Sequence, residues 1–172
     1  QPMNQNRAKG VDPHIWLSPE SVKVQVKNIR DMLIELDSAN RKEYHHNYQA
    51  LISRIDSMDV QIRKRLEKID NRTFLIFHPA LSYFARDYHL EQIAVQHEGK
   101  EPSPARIRNI IDRAEEENIR AVFIQEQFST DEAKTLAGEL SAEVIQVDPL
   151  AYNWMENMMT IARKMQKALK GT

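Results

Sequence analysis

Four short apolar runs, each followed by a stretch of helical periodicity, constrain this chain more than any other feature. They occupy residues 73–77 (TFLIF), 92–95 (QIAV), 121–125 (AVFIQ) and 143–147 (EVIQV), and the helical stretches lie near 80–88, 104–117, 130–140 and 152–169. Consecutive apolar positions suit strands covered on both faces, and strand–helix alternation makes neighbouring strands parallel. Each helical stretch carries one apolar stripe, such as Ile107, Ile110, Ile111 and Ala114, or Ala133, Leu136, Ala137 and Leu140. Ser103 before Pro104, and Ser129 with Glu132 as a capping box, mark two of the helix starts. The fold class expected is therefore α/β, a four-stranded parallel sheet covered by helices on both faces.

Two helices precede the sheet. Ser18 is placed to cap the first, with Pro19 at its first position, Glu20 in its first turn and a stripe of Val22, Val26, Ile29, Leu33 and Leu36. The stretch 37–40 interrupts that pattern and offers a new cap. A second pattern then runs from 41 to 69 without Gly or Pro, through Tyr44, Tyr48, Leu51, Ile55, Met58, Ile62, Leu66 and Ile69. At about 1.5 Å per residue it is roughly 43 Å long, the diameter expected of a whole domain of this size. Such a helix spans the body or protrudes from it, which suits a strut. Its stripe lacks the strict 3.5-residue repeat of a coiled coil. The expected organisation is a disordered lead at 1–10, linker helices in 11–70 and a carboxyl-terminal α/β lobe in 71–172.

Composition removes many functions. With no cysteine among 172 residues, thiolate metal sites, thiol nucleophiles and disulfide scaffolds are excluded. Four glycines cannot build a Walker A loop or a GxGxxG turn, and no GxSxG or HExxH is present. Twenty-four basic against 25 acidic side chains give no broad field for nucleic acid.

Chemistry in an open parallel sheet gathers beyond the carboxyl ends of the strands. There stand His78, Gln96, His97, Glu126, Gln127 and Asp148, and prolines directly after His78 and Asp148 hold those two side chains off the strand ends. Imidazole and carboxylate on one edge make half of a mixed metal site or, equally, a hydrogen-bonded acid–base pair. His14, in the stiff segment DPHIWL, is a third candidate, with Asp12 placed to orient it; the alternative is a histidine packed beside Trp16. Glu126 is a further candidate for contact with the site, as is Tyr83, while Phe84 and Tyr88 read as core. His45 and His46 point about 100° apart and read as solvated strut residues, and Met155, Met158, Met159 and Met165 read as packing.

These residues also carry a resemblance. VDPHIWLSPES (11–21), FHPALSYFARDY (77–88), EGKEPSPARI (98–107), VFIQEQFS (122–129) and VIQVDPL (144–150) are similar to the metal-binding (cluster A-I, ZnuA-like) solute-binding proteins of bacterial ABC transporters, including those first described as adhesins. The resemblance implies two α/β lobes joined by a long helix, with metal held in the cleft between them. It implies His14, His78 and Asp148 as ligands, extracytoplasmic location and an ABC permease as partner. The family draws a further histidine from a lobe ahead of DPHxWL, so this chain is expected to be the linker and carboxyl-terminal lobe. Relatives associated with manganese tend to carry Glu at the position of His78, and imidazole suits zinc; zinc is therefore expected, with manganese second. Two other readings stand beside it: a zinc hydrolase with Glu126 as general base, and a structural fragment that binds no metal by itself. The cleft face, with Trp16 and Trp154, is expected to be open to self-association.

Overall fold

The computed structural model describes residues 11–96, 102–127 and 130–170. The lead at 1–10, the loop bearing His97, Glu98 and Glu101, and the Ser129 cap lie outside the described residues. Helix α1 (Pro19–Leu36) is followed by a short 3-10 turn and by α2 (Arg41–Leu66). Strands and helices then alternate: β1 (Thr73–Ile76), α3 (Ser82–Asp87), β2 (Glu91–Ala94), α4 (Pro104–Glu116), β3 (Ala121–Gln125), α5 (Thr130–Glu139), β4 (Glu143–Val147) and α6 (Trp154–Leu169).

Among the described residues the strands form one sheet in the order β2-β1-β3-β4, and every pairing is parallel. Side-chain alternation splits the core into two layers. Phe74, Ile76, Phe123, Ile145 and Val147 face α2, α3 and α6, where they meet Met58, Ile62, Phe84, Met158 and Met165. Leu75, Ile93, Val122 and Ile124 face α4 and α5 and meet Ile110, Ala114, Leu136 and Leu140. The chain leaves β1 toward one edge and β3 toward the other, so the direction of winding reverses between those two strands. That reversal is where an open α/β sheet forms its crevice.

With so few glycines, the chain closes its helix–strand turns on other residues. His89, Asn118 and Ser141 each take a left-handed conformation, with φ of 55°, 53° and 50°. In each turn the next amide reaches back five residues: Leu90 to Ala85, Ile119 to Ala114 and Ala142 to Ala137, all at 2.8 Å. This is the Schellman pattern, and the three side chains bear a steric cost that glycine avoids.

The two leading helices form a hairpin. Asp37 closes α1 by donating its backbone N–H to Leu33 O at 2.9 Å, and its carboxylate accepts from Asn40 (2.8 Å) and Tyr44 (2.8 Å). Asn40 thus bonds Asp37 instead of capping α2 with its side chain. Helix α2 ends at Leu66, three residues earlier than its apolar periodicity; Ile69 is still buried in the core beyond the helix. Its carboxyl-terminal half buries Ile55, Met58, Ile62 and Leu66 against the lobe. The amino-terminal half stands clear of it, and His45 and His46 are exposed. Because α1 packs mainly on α2, its stripe is only partly covered: Ile29, Leu33 and Leu36 remain exposed.

A buried polar network fixes the base of this hairpin. Asp59 accepts from the Tyr88 hydroxyl at 2.8 Å and from Arg63 Nε at 2.9 Å, and Arg63 also donates to Asp87 O at 3.0 Å. Burial, with the Asp59 carboxylate beside it, pushes the Tyr88 hydroxyl far above its ordinary pKa. Ser18, fully buried, donates to the Asp87 carboxylate and caps α1 by accepting from Ser21 N at 2.9 Å. Hairpin and lobe are therefore joined through hydrogen bonds that burial makes costly to lose.

Candidate metal site

The segment ahead of α1 is stiffened by its own bonds. Ile15 N donates to Pro13 O (2.8 Å), and Leu17 N to His14 O (3.1 Å), making a single 3-10 turn. Asp12 Oδ1 accepts from the His14 backbone N–H at 2.9 Å and lies 2.7 Å from His14 Nδ1. A carboxylate only accepts at neutral pH, so Nδ1 carries a proton, and in the neutral ring the lone pair falls on Nε2. Tyr83 on α3 donates its hydroxyl to Asp12 O at 3.2 Å, fastening the segment to the lobe.

His78 is presented by the end of β1. Its carbonyl accepts from Ala80 N across Pro79 at 2.8 Å and from the Gln125 side-chain amide at 2.8 Å. Its ring Nδ1 is 3.3 Å from Gln96 Oε1. The two imidazoles meet edge to face, with centroids 5.5 Å apart and planes at 79°. Burial, reinforced by the nearby His14 ring, lowers the His78 pKa below its ordinary value, despite the opposing hydrogen bond that Gln96 accepts. A neutral imidazole is the form that binds metal.

Asp148 stands on the same sheet edge, after β4. Its Oδ1 accepts from Leu150 N at 2.9 Å and from Gln127 at 2.7 Å, an arrangement that braces the turn at Pro149. That loop is tied to the His14 segment by Trp16, whose indole donates to Pro149 O at 2.9 Å, while Trp154 donates to Trp16 O at 2.7 Å. Both tryptophans are half-buried and packed on the core. Each indole N–H thus has an internal acceptor, while part of each ring stays accessible. Leu150 and Tyr152, at 64% and 104% exposure, add apolar surface near the site.

The structure therefore brings His14, His78, Asp12 and Tyr83 together. It places Asp148 on an adjoining loop and leaves the Glu126 side chain exposed, with its backbone N–H bonded to Val147 O at 3.0 Å. Among the described residues no three His, Asp or Glu groups stand close enough to hold a metal ion as they are. Two buried acceptors, Asp12 Oδ2 and Gln125 Oε1, find no hydrogen-bond partner there. Two lone-pair imidazole nitrogens beside an orphaned carboxylate oxygen are a donor set that fits a borderline divalent cation. Sequence reasoning overlooked Gln125 as a functional position and read Gln96 only as a strand-end residue. Their signal was position alone, since Gln125 ends β3 and Gln96 lies just beyond β2, the two strands that flank β1.

The chain is also similar to known proteins. Residues 2–168 match the family model described as "ZnuA: Zinc-uptake complex component A periplasmic". The high-affinity zinc uptake system protein ZnuA of Bacillus subtilis is 31% identical over 135 residues, 77% of this chain and 42% of that protein. The iron-binding protein YfeA of Yersinia pestis is 31% identical over 158 residues, 87% of this chain and 51% of its own length. The chain thus spans about half or less of the curated relatives it matches. A crystal structure of a zinc-bound ZnuA deletion mutant superposes with a TM-score of 0.92 at 38% identity, covering 100% of this chain and 68% of that one. These relatives are metal-binding transport components, not enzymes, which leaves the hydrolase reading without support. With a model match over nearly its whole length, and its sheet and helices arranged as in a zinc-bound relative, the chain belongs to the ZnuA family.

Proposed function

We propose that this chain captures a divalent transition metal as cargo, zinc foremost and manganese second, for delivery to the membrane permease of an ABC transporter outside the cytoplasm. The observation that carries the reading is the pair of imidazoles of His14 and His78, 5.5 Å apart. Each has its Nδ1 engaged, by Asp12 and Gln96, so in the neutral rings the lone pair falls on Nε2. Asp148 is the third ligand in this reading, carried by the loop that Trp16 ties to the His14 segment. Zinc is favoured over manganese because imidazole nitrogen is the softer donor and because affinity at nitrogen sites rises toward zinc. The iron-binding name of one relative marks the metal as the feature to measure first. Completion of the coordination shell by a histidine from outside these residues, as the family supplies, belongs to the same reading.

Elemental analysis of the purified protein beside a His78→Ala variant tests it. Zinc near one equivalent in the protein and absent from the variant is expected. Equal zinc in both would overturn the assignment.

A further inference from the structure

The sheet order puts the ends of β2, β1 and β3 side by side; Gln96 and His78 lie two residues beyond β2 and β1, and Gln125 ends β3. A candidate ligand is thus bracketed by two neutral amides. The alignment comes from the backbone: Val95 N donates to Ile76 O and Gln96 N to Phe77 O, both at 2.9 Å, extending the β1–β2 ladder to the level of His78. Gln125 is 1% exposed and donates through Nε2 to the His78 carbonyl at 2.8 Å. That bond fixes its amide orientation, since a carbonyl accepts only from the NH₂ side. The main chain of His78 is therefore held from the β3 side and its ring from the β2 side.

We infer that Gln96 is a positioning residue for this site: its amide oxygen, 3.3 Å from His78 Nδ1, holds the ring proton there and leaves Nε2 as the atom that meets the metal. An amide oxygen only accepts, so the imidazole nitrogen facing it must donate. Histidine ligands elsewhere are set in the same way by the bond that the other ring nitrogen makes. Here the partner is uncharged, so it selects the tautomer without adding a charge to the site. Without that acceptor the ring is free to keep its proton on Nε2, which blocks coordination until the proton moves. The inference rests on the reading of His78 as a ligand.

Two-bond proton–nitrogen NMR spectra of the histidine rings, recorded on the metal-free protein at about pH 8, report which nitrogen holds the proton. The Nδ1–H form is expected for His78 in the unaltered protein. In Gln96→Leu the Nε2–H form of His78 is expected to grow while the His14 signals stay in place, and affinity for zinc alone should fall roughly 10- to 100-fold. Gln96→Glu, which keeps an acceptor at the same reach, should retain the Nδ1–H form and the affinity to within a few-fold. An Nε2–H form in the unaltered protein would overturn the inference. So would a leucine variant with the tautomer unmoved, or one whose tautomer moves while zinc affinity holds. Failure of the ligand reading itself shows separately, as a His78→Ala variant that binds zinc as tightly as the parent.

Discussion

The two imidazoles of the site are held in opposite ways. His14 is fixed locally, by a carboxylate two residues away in its own turn, 2.7 Å from Nδ1. His78 is fixed by the sheet, through Gln96 and Gln125, which lie 18 and 47 residues away along the chain. One belongs to a segment laid across the lobe, anchored through Tyr83, Trp16 and Ser18. The other belongs to the central strand of the core. A charged, local restraint and a neutral, long-range one thus deliver the same outcome, a lone pair on Nε2. One half of the site is therefore a locally braced segment, and the other half is the sheet itself.

Removing either ring should have the largest effect. His14→Ala and His78→Ala are each expected to weaken zinc binding by more than roughly 100-fold, beyond what loss of an orienting partner costs. Calorimetric titration would show it, and a full loss in one with none in the other would break the pairing. Next comes the charged restraint itself. Asp12→Ala should cost roughly 10- to 100-fold in zinc affinity, while Asp12→Asn, which makes the His14 restraint resemble that of His78, should cost less. Equal losses in the two variants would mean that the charge of Asp12, not its position, governs His14.

Ser18→Ala separates the anchoring of the two rings. It removes the cap of α1 and the bond to the Asp87 carboxylate, and should lower stability by about 2 kcal/mol in urea unfolding. NMR line widths of the His14 ring should increase, with those of His78 unchanged. Broadening of both would merge the two halves of the site into one.

The smallest effect concerns pH. Burial holds the folded His78 pKa below its ordinary value of 6.5, so the unfolded chain binds more protons in that range. The resulting contribution to stability is complete above about pH 6.5 and is lost as pH falls through the folded value. The urea midpoint should therefore drop between pH 7.5 and 5.5, and drop less in His78→Gln. The same drop in both proteins would assign the acid sensitivity to other groups.

The difference between the two restraints also explains how far the sequence could be read. Local signals were enough for the sheet: the four apolar runs, Ser103-Pro104 and Ser18-Pro19 are features of contiguous residues, and each became a strand or a capped helix start. DPH was legible for the same reason, since Asp12 reaches His14 within one turn. Gln96 and Gln125 were not, because only the strand order brings them beside His78, and order is a long-range property. The half-buried state of Trp16 and Trp154 was hidden likewise, as their acceptors lie across 133 and 138 residues. The exposure of Ile29 and Leu36 depended on how many layers cover α1, which periodicity does not report. Resemblance extended the reading to the ligand set, but the place of Asp148 relative to the two rings needed coordinates.

The central claim is that His14 and His78 hold one cation together. Zinc titration of the protein with nitrogen-labelled histidines tests it directly. The account predicts that the Nε2 signals of both rings move together and saturate at one equivalent, while His45 and His46, exposed on the far part of the hairpin, stay unmoved. Saturation that shifts only one of the two rings, or neither, would contradict it.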